Sequence, residues 1–324
     1  MIQILIPLFV SAISFATVLL YGCVGEIITE KAGHLNLGIP GIMCVGTAGG
    51  CLGVSLYIGA LPSPENASWL PLVLISLLFS TVFAAALGGI YAFLTVTLRC
   101  NQNITGLAIT IFGGGATNFI MSFVKDEHLL AVGPLISSPL PFAEKLGMFG
   151  KVVFGHGVLA YLAIAIAIVC AFVLNKTRLG LHLRAVGESP ATADAAGINV
   201  VLYKYMAILC GSAIAGIGGL YYIMDLNKGS WENAATIESF GWLAIALVIF
   251  VLWKPNLAIV GAFLFGICSI VASYISNTTP AQNVLIKMLP YVITILVLIL
   301  TSIRKKREYQ APASLGLPYF REDR

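Results

Sequence analysis

The sequence predicts an all-α, polytopic membrane protein, and three observations carry that expectation. Of the 324 residues, 59% are hydrophobic and 10% charged, where soluble domains are roughly 45–50% apolar and about 25% charged. The mean hydropathy is +0.96. The apolar residues gather into long runs, and a helix needs about 20 of them, each rising about 1.5 Å, to cross about 30 Å of hydrocarbon. A chain of this length therefore holds roughly eight to ten crossings and little else.

Nine runs qualify as candidate crossings: 4–24, 35–60, 70–98, 104–124, 156–174, 204–226, 239–253, 257–276 and 284–303. No charge precedes Glu26, so no basic leader segment stands before Ile4, and the first run is expected to stay in the membrane. The second opens on glycines and a proline. It also carries Gly46, Gly49, Gly50 and Gly53 in overlapping GxxxG spacing, which lets helix backbones approach closely. The fourth contains the glycines 113–115 with Asn118 following, where a helix either loosens around a pathway or simply packs tightly. Gly211, Ala215, Gly218 and Gly219 line one flank of the sixth. The seventh is the shortest, at 15 residues, and the ninth runs into the basic residues 304–307. Residues 1–303 thus read as one transmembrane domain, and 304–324 as a basic cytoplasmic tail.

Lys and Arg sort the connections, because short cytoplasmic loops carry the excess. One side holds Lys31, Arg99, Lys176, Arg178, Arg184, Lys204, Lys254, Arg304, Lys305, Lys306, Arg307, Arg321 and Arg324; the other holds Lys125, Lys145, Lys151, Lys228 and Lys287. That asymmetry places the C-terminus and the 175–203 loop in the cytoplasm and the N-terminus outside. The net charge of +4 is read as topology, with no nucleic acid as partner and with residues 304–307 drawn to anionic membrane lipid.

Charges inside a bilayer usually mark ion or proton paths. Here Glu26, Glu30 and Lys31 gather at one proposed cytoplasmic end, while Asp225 and Lys287 lie near proposed outer ends. The interior is expected to be polar but uncharged, which disfavours a carrier driven by an ion gradient. The seven cysteines form no CxxC and read as packing residues; the four histidines lack metal-ligand spacing, so no metal is expected. No Ser/His/Asp set, HExxH or paired-carboxylate constellation marks a membrane enzyme. No G-x-x-x-x-G-K-[ST] phosphate loop occurs, so ATP dependence would have to come from another chain.

Two stretches carry more. In the 175–203 loop, Arg184, Gly187 and Glu188 precede Ser189, a good N-cap, and Pro190, which suits the first helical position. Ala193 and Ala196 favour helix, and Gly197 suits a left-handed stop. The pattern specifies a two-turn helix, either a docking element for a partner or a solvated surface turn. The second stretch, residues 25–41, holds Gly33, Gly38, Pro40 and Gly41, and a break at the membrane edge requires protein or a water-filled cavity to satisfy the freed backbone. Asn36 is then a polar group near a pathway or a packing amide.

These stretches resemble the permease of bacterial ABC importers in the branched-chain amino acid, ribose and nucleoside permease family, specifically its nucleoside branch. An E-[RK]-x-G-x-x-N-[IL]-G-x-[E]-G signature is matched by Glu30, Lys31, Gly33, Asn36, Leu37, Gly38 and Gly41, and an R-A-V-G-E-x-P-x-x-A-x-x-A-G-I loop by residues 184–198. Residues 101–108 and 241–247 also look similar. Pro40 and His34 depart from the branch's usual Glu and small apolar residue.

The resemblance implies an ABC importer bundle with a short cytoplasmic coupling helix in the bacterial inner membrane. It also implies a second, homologous permease chain, a cytosolic ATPase holding ATP and Mg, an extracytoplasmic solute-binding lipoprotein or periplasmic protein, and no cofactor on this chain. Arg184, Gly187, Glu188, Ser189, Pro190, Ala193, Ala196 and Gly197 would couple to the ATPase. A nucleoside asks for aromatic stacking and neutral hydrogen-bonding groups, which Asn36, Asn103, Thr105, Phe112, Asn118, Phe240 and Trp242 could supply. The alternatives are a permease for a ribose-type sugar, riboflavin or a branched-chain amino acid, and an ATP-independent channel or facilitator.

Overall fold

The computed structural model describes residues 2–141, 143–275, 279–304 and 310–320, and among them every regular element is helical. The α-helices in chain order are α1 (Ile2–Lys31), α2 (Ile39–Gly59), α3 (Trp69–Ala92), α4 (Gln102–Met121), α5 (Asp126–Ile136), α6 (Gly147–Phe154) and α7 (Val158–Lys176). They continue with α8 (Arg178–Glu188), α9 (Pro190–Ala195), α10 (Val200–Tyr221), α11 (Ala234–Phe250), α12 (Pro255–Tyr274), α13 (Pro280–Lys287) and α14 (Leu289–Arg304). Single π-helical turns, Phe93–Thr97 and Tyr222–Leu226, prolong α3 and α10.

The expected count of nine crossings is corrected. Among the described residues seven segments are long and apolar enough to span: Leu5–Lys31, Ile39–Gly59, Trp69–Thr97, Gln102–Met121, Val158–Lys176, Val200–Leu226 and Ala281–Leu300. The runs at 239–253 and 257–276 fold as α11 and α12, neither of which is among those seven. The 17 residues of α11 rise only about 25 Å, short of the hydrocarbon thickness.

Between helices in lipid the hydrophobic effect gives little attraction, so close van der Waals packing must hold the bundle. Small residues provide it where the sequence concentrates them. α10 packs against α1, α2 and α3. Gly211 of α10 meets Gly25 of α1 backbone to backbone, and Gly216 meets Gly46 of α2 in the same way. Gly49 and Gly53 receive the rings of Phe79 and Phe83 from α3. On the other side of α2, Gly41 lies against Thr110 and Gly113 of α4, where an added β-carbon would stand 2.6 Å from the Thr110 Cα.

The basic residues sort to two ends as their grouping predicts. At one end Arg99 lies over Phe320, the Lys31 carbonyl touches Gly187, and Arg184 and Lys254 line one cavity. At the other end Gly133 packs on the Lys228 backbone, and the amide of Lys125 donates to Ser55 Oγ. The first is called the basic end below.

Candidate functional site

The basic end is assembled around the break between α1 and α2. Gly33 adopts φ +79°, a left-handed turn that a side chain would strain, and its α-carbon faces Ser314 and Gly187. Asn36, fully buried, folds its side chain back so that Oδ1 accepts from Gly38 N at 2.9 Å. Its own amide donates to Glu26 Oε1 at 3.1 Å. Glu30, also buried, accepts from the Trp253 indole. Tyr91 Oη donates to Leu35 O at 2.6 Å, and Leu35 N donates to Gln102 Oε1 at 2.8 Å. The turn is thereby tied to α1, α3, α4 and the end of α11.

His34 completes this layer. The Thr95 hydroxyl spends its hydrogen on Tyr91 O, so at 3.2 Å it accepts from His34 Nε2, which fixes the tautomer. Nδ1 is left buried and unpartnered. Burial, reinforced by the Lys204 charge, holds the imidazole well below its usual pKa.

The 175–203 loop folds as expected around the short helix and adds one that the sequence pattern did not specify. α9 is capped by Ser189, whose Oγ accepts from Thr192 N at 3.4 Å. Pro190 opens the helix, and Gly197 ends it at φ +81°. Ala193 is buried against Val186 and Val200, whereas Ala196 is exposed. The additional helix is α8, with its alternation of Leu181, Leu183 and Val186 around polar positions. Its amphipathic pattern is helical, but two glycines and the charged flanks hid it. Gly187, near its end, presses on Lys31 O so closely that a β-carbon would lie 3.0 Å from the Lys31 carbonyl carbon. Arg184 and Glu188 line a cavity of ≈ 910 Å³ together with Lys31, Trp253 and Lys254.

Residues 310–320 fold across this end as a strap. Ser314 donates to Gly187 O from both its hydroxyl, at 2.5 Å, and its amide, at 3.1 Å. Leu317 O accepts from Gln102 Nε2 at 3.5 Å, and Tyr319 Oη donates to Asp194 Oδ2 at 2.9 Å. Residues 305–309 and 321–324, most of the tail's expected basic charge, lie outside the described residues.

The residues named for solute contact divide into separate places. Asn36 and Thr105 are buried at the basic end, and Asn103 is exposed in the first turn of α4, its amide held by Asn101. Phe240 is buried between the rings of Phe15 and Tyr222. Phe112 is exposed, and at about 100° per residue it points away from the side of α4 that meets α11. Asn118 and Trp242 lie on α4 and α11, which pack against each other. Asn118 Oδ1 accepts from Ala234 N at 3.4 Å, and the two helices run antiparallel from there. Gly241 rests on Pro40 of α2, which puts α2 behind both. Trp242 is half-buried one turn beyond Glu238, and Glu238 Oε1 lies on Gly114. Glu238 stands one residue before the apolar run at 239–253, which is why the expectation of an uncharged interior passed it over.

The chain matches the family model described as branched-chain amino acid transport system / permease component over residues 8–298. It is 34% identical to TsgC13 of Haloferax volcanii, a permease protein provisionally assigned to a glucose ABC transporter, across 79% of this chain and 74% of that one. It is 30% identical to the nucleoside ABC transporter permease protein NupC of Lactococcus lactis, across 88% and 89% of the two chains. It is 30% identical to the guanosine ABC transporter permease protein NupQ of Bacillus subtilis, across 100% and 99%. Both of the last two organisms carry a second matching permease protein for the solute so named, NupB and NupP, at 23% and 26% identity.

Proposed function

The chain belongs to the branched-chain amino acid transport system / permease component family, a family of multi-pass ABC transporter subunits, and from that premise we propose that it forms half of the path by which neutral nucleosides enter a bacterial cell. Its near-full-length likeness to two nucleoside-type permeases supports the solute class. The likeness to both members of each Nup pair supports a homologous second permease chain rather than a second copy.

One observation carries the mechanism: α9 is capped at both ends and anchored by Ala193, while Ala191, Ala195 and Ala196 are presented outward. Such a small-residue surface suits insertion into a groove of a cytosolic ATPase, which would hold ATP and Mg; this chain holds neither and catalyses nothing. In this reading the basic end is cytoplasmic, in line with the Lys and Arg excess, the N-terminus lies outside in the inner membrane, and an extracytoplasmic lipoprotein delivers solute. Arg184, Gly187 and Glu188 transmit the movement of α9 to α1 through the Lys31 contact.

The test is uptake competition in cells with and without this chain, using nucleosides, free bases, ribose, glucose, riboflavin and branched-chain amino acids. Chain-dependent accumulation blocked by nucleosides and abolished by ATP depletion is the expected result. Flux through the chain alone in liposomes, without ATPase or receptor, would instead establish a channel.

A further inference from the structure

An acidic side chain in a transmembrane bundle is costly to insert and persists where it has a task. Glu238 is such a residue: half-buried on α11, its side chain has no hydrogen-bond or ion-pair partner among the described residues. The facing helix is shaped to receive it. Of the glycines 113–115, Gly113 packs on the backbone of Gly41, whereas Gly114 meets only the Glu238 carboxyl, with the Cδ 3.2 Å from where a β-carbon would stand. Gly115 faces open space, with nothing within 4 Å. Asn118, one turn along α4 from Gly114, is exposed, and Trp242, one turn along α11 from Glu238, offers an aromatic face. The α4–α11 seam thus carries an unpartnered carboxyl group on a strip cleared of side chains, with the Asn118 amide, which accepts from Ala234 N, one turn to one side and the Trp242 indole one turn to the other.

Resting on the permease reading above, we infer that Glu238 is the solute-reading group of this half of the pathway, taking the adjacent hydroxyls of a neutral sugar or ribosyl moiety on its two carboxyl oxygens while Trp242 covers the ring. Two oxygens on one rigid group match two neighbouring O–H donors. The same negative charge repels phosphorylated solutes, so the group selects neutral ones.

The test uses the whole transporter, with its second permease, ATPase and receptor, and compares uridine with 2′,3′-dideoxyuridine in one preparation. The receptor's own preference is common to variant and wild type and cancels in the ratio. Glu238→Gln is expected to lower uridine uptake roughly 10- to 100-fold, the worth of a charge-assisted hydrogen bond, while dideoxyuridine uptake falls by about threefold or less. Gly114→Ala, which pushes the carboxyl group aside without removing it, is expected to shift the ratio the same way by a smaller factor. Equal losses for both solutes would mean that the carboxyl group serves folding or assembly, and no loss would mean that it faces no solute; either overturns the inference. If the wild-type transporter moves glucose and not uridine, the nucleoside reading falls, and the same comparison of glucose with 3-deoxyglucose decides whether Glu238 reads the solute.

Discussion

Gly187→Ala is the sharpest probe of how the basic end is built. The added methyl would collide with Lys31 O and lie 3.0 Å from the Lys31 carbonyl carbon and 3.2 Å from Gly33 N, inside the 3.4 Å at which ordinary contact begins. All three atoms are backbone, so none can rotate away. The end of α8 must retreat by about 1 Å, a displacement that overpacking associates with roughly 1–3 kcal/mol. It also draws Gly187 O away from Ser314, whose hydroxyl and amide both donate to it, removing about 1 kcal/mol for each bond lost. The expected total is about 2–5 kcal/mol, concentrated at one end of the molecule. Gly197→Ala is the control: it sits at φ +81° with nothing within 4 Å, so it meets strain of about 1 kcal/mol but no collision. Thermal unfolding of the purified transporter and solute moved per ATP hydrolysed are the two measurements. Gly187→Ala should melt clearly below Gly197→Ala and move less solute per ATP. If its midpoint stays within about 1 °C of wild type with full transport, the contact is looser than the structure places it and the reasoning fails.

Three further outcomes are expected. Ala191→Arg, on the exposed side of α9, should leave folding intact and abolish ATP-dependent uptake, whereas Ala193→Arg, at the buried position, should lower stability by several kcal/mol because a charge enters an apolar cluster (about 3 or more); intact uptake in the first would remove α9 from the ATPase contact. Tyr319→Phe deletes the hydroxyl that donates to Asp194 and should destabilise the strap by about 1 kcal/mol, read as faster proteolysis of the C-terminal segment with little change in the rest of the fold. His34, held neutral by burial with a pKa well below 6.5, binds a proton more readily in the unfolded chain; its contribution to stability is therefore fully present above pH 6.5 and is lost as the pH drops below it. His34→Gln should flatten that acid limb in melting curves, and an unchanged limb would assign it to other groups.

Most of the architecture was legible because membrane insertion imposes crude rules. Run lengths gave the long helices, and the basic residues gave the two ends. The α9 cap was readable to the residue, since Ser189, Pro190 and Gly197 each do one local job. The failures share a cause, which is that periodicity and composition report on a helix and not on its neighbour. Whether 17 residues at 234–250 cross fully depends on how their ends are tied, and the α8 pattern becomes a helix only because Gly180 and Gly187 fit against α7 and α1. Asn36 looked like a pathway amide, yet a side chain hydrogen-bonded to the backbone two residues on reads in sequence the same as one facing solute. Glu238 was missed for the converse reason: its meaning comes from Gly114 on another helix.

The hydrogen bonds of the strap and the backbone contacts of Gly187 and Gly113 transmit force differently, and that difference bears on coupling. A push from α9 toward the membrane reaches α1 through Gly187 against Lys31 O, and a shift of α2 reaches α4 through Gly41 against Gly113. These are repulsive contacts that stiffen steeply and yield little. A pull runs along the backbone into α8 and α10, which flank α9 directly, and only weakly through the strap, from Asp194 through Tyr319 to Leu317 and on to Gln102 at the start of α4, where each bond breaks for about 1 kcal/mol. Moving a two-state equilibrium from 1:99 to 99:1 takes about 5.5 kcal/mol, more than the strap alone can carry. If α9 is the seat of the ATPase, the large movements therefore pass through the backbone and the glycine contacts, and the strap adds only a weak restoring pull that helps the return. The Tyr319→Phe variant separates the two steps: it should slow the return, seen as a lower rate of repeated turnover, without lowering the solute moved in a single ATP-driven cycle.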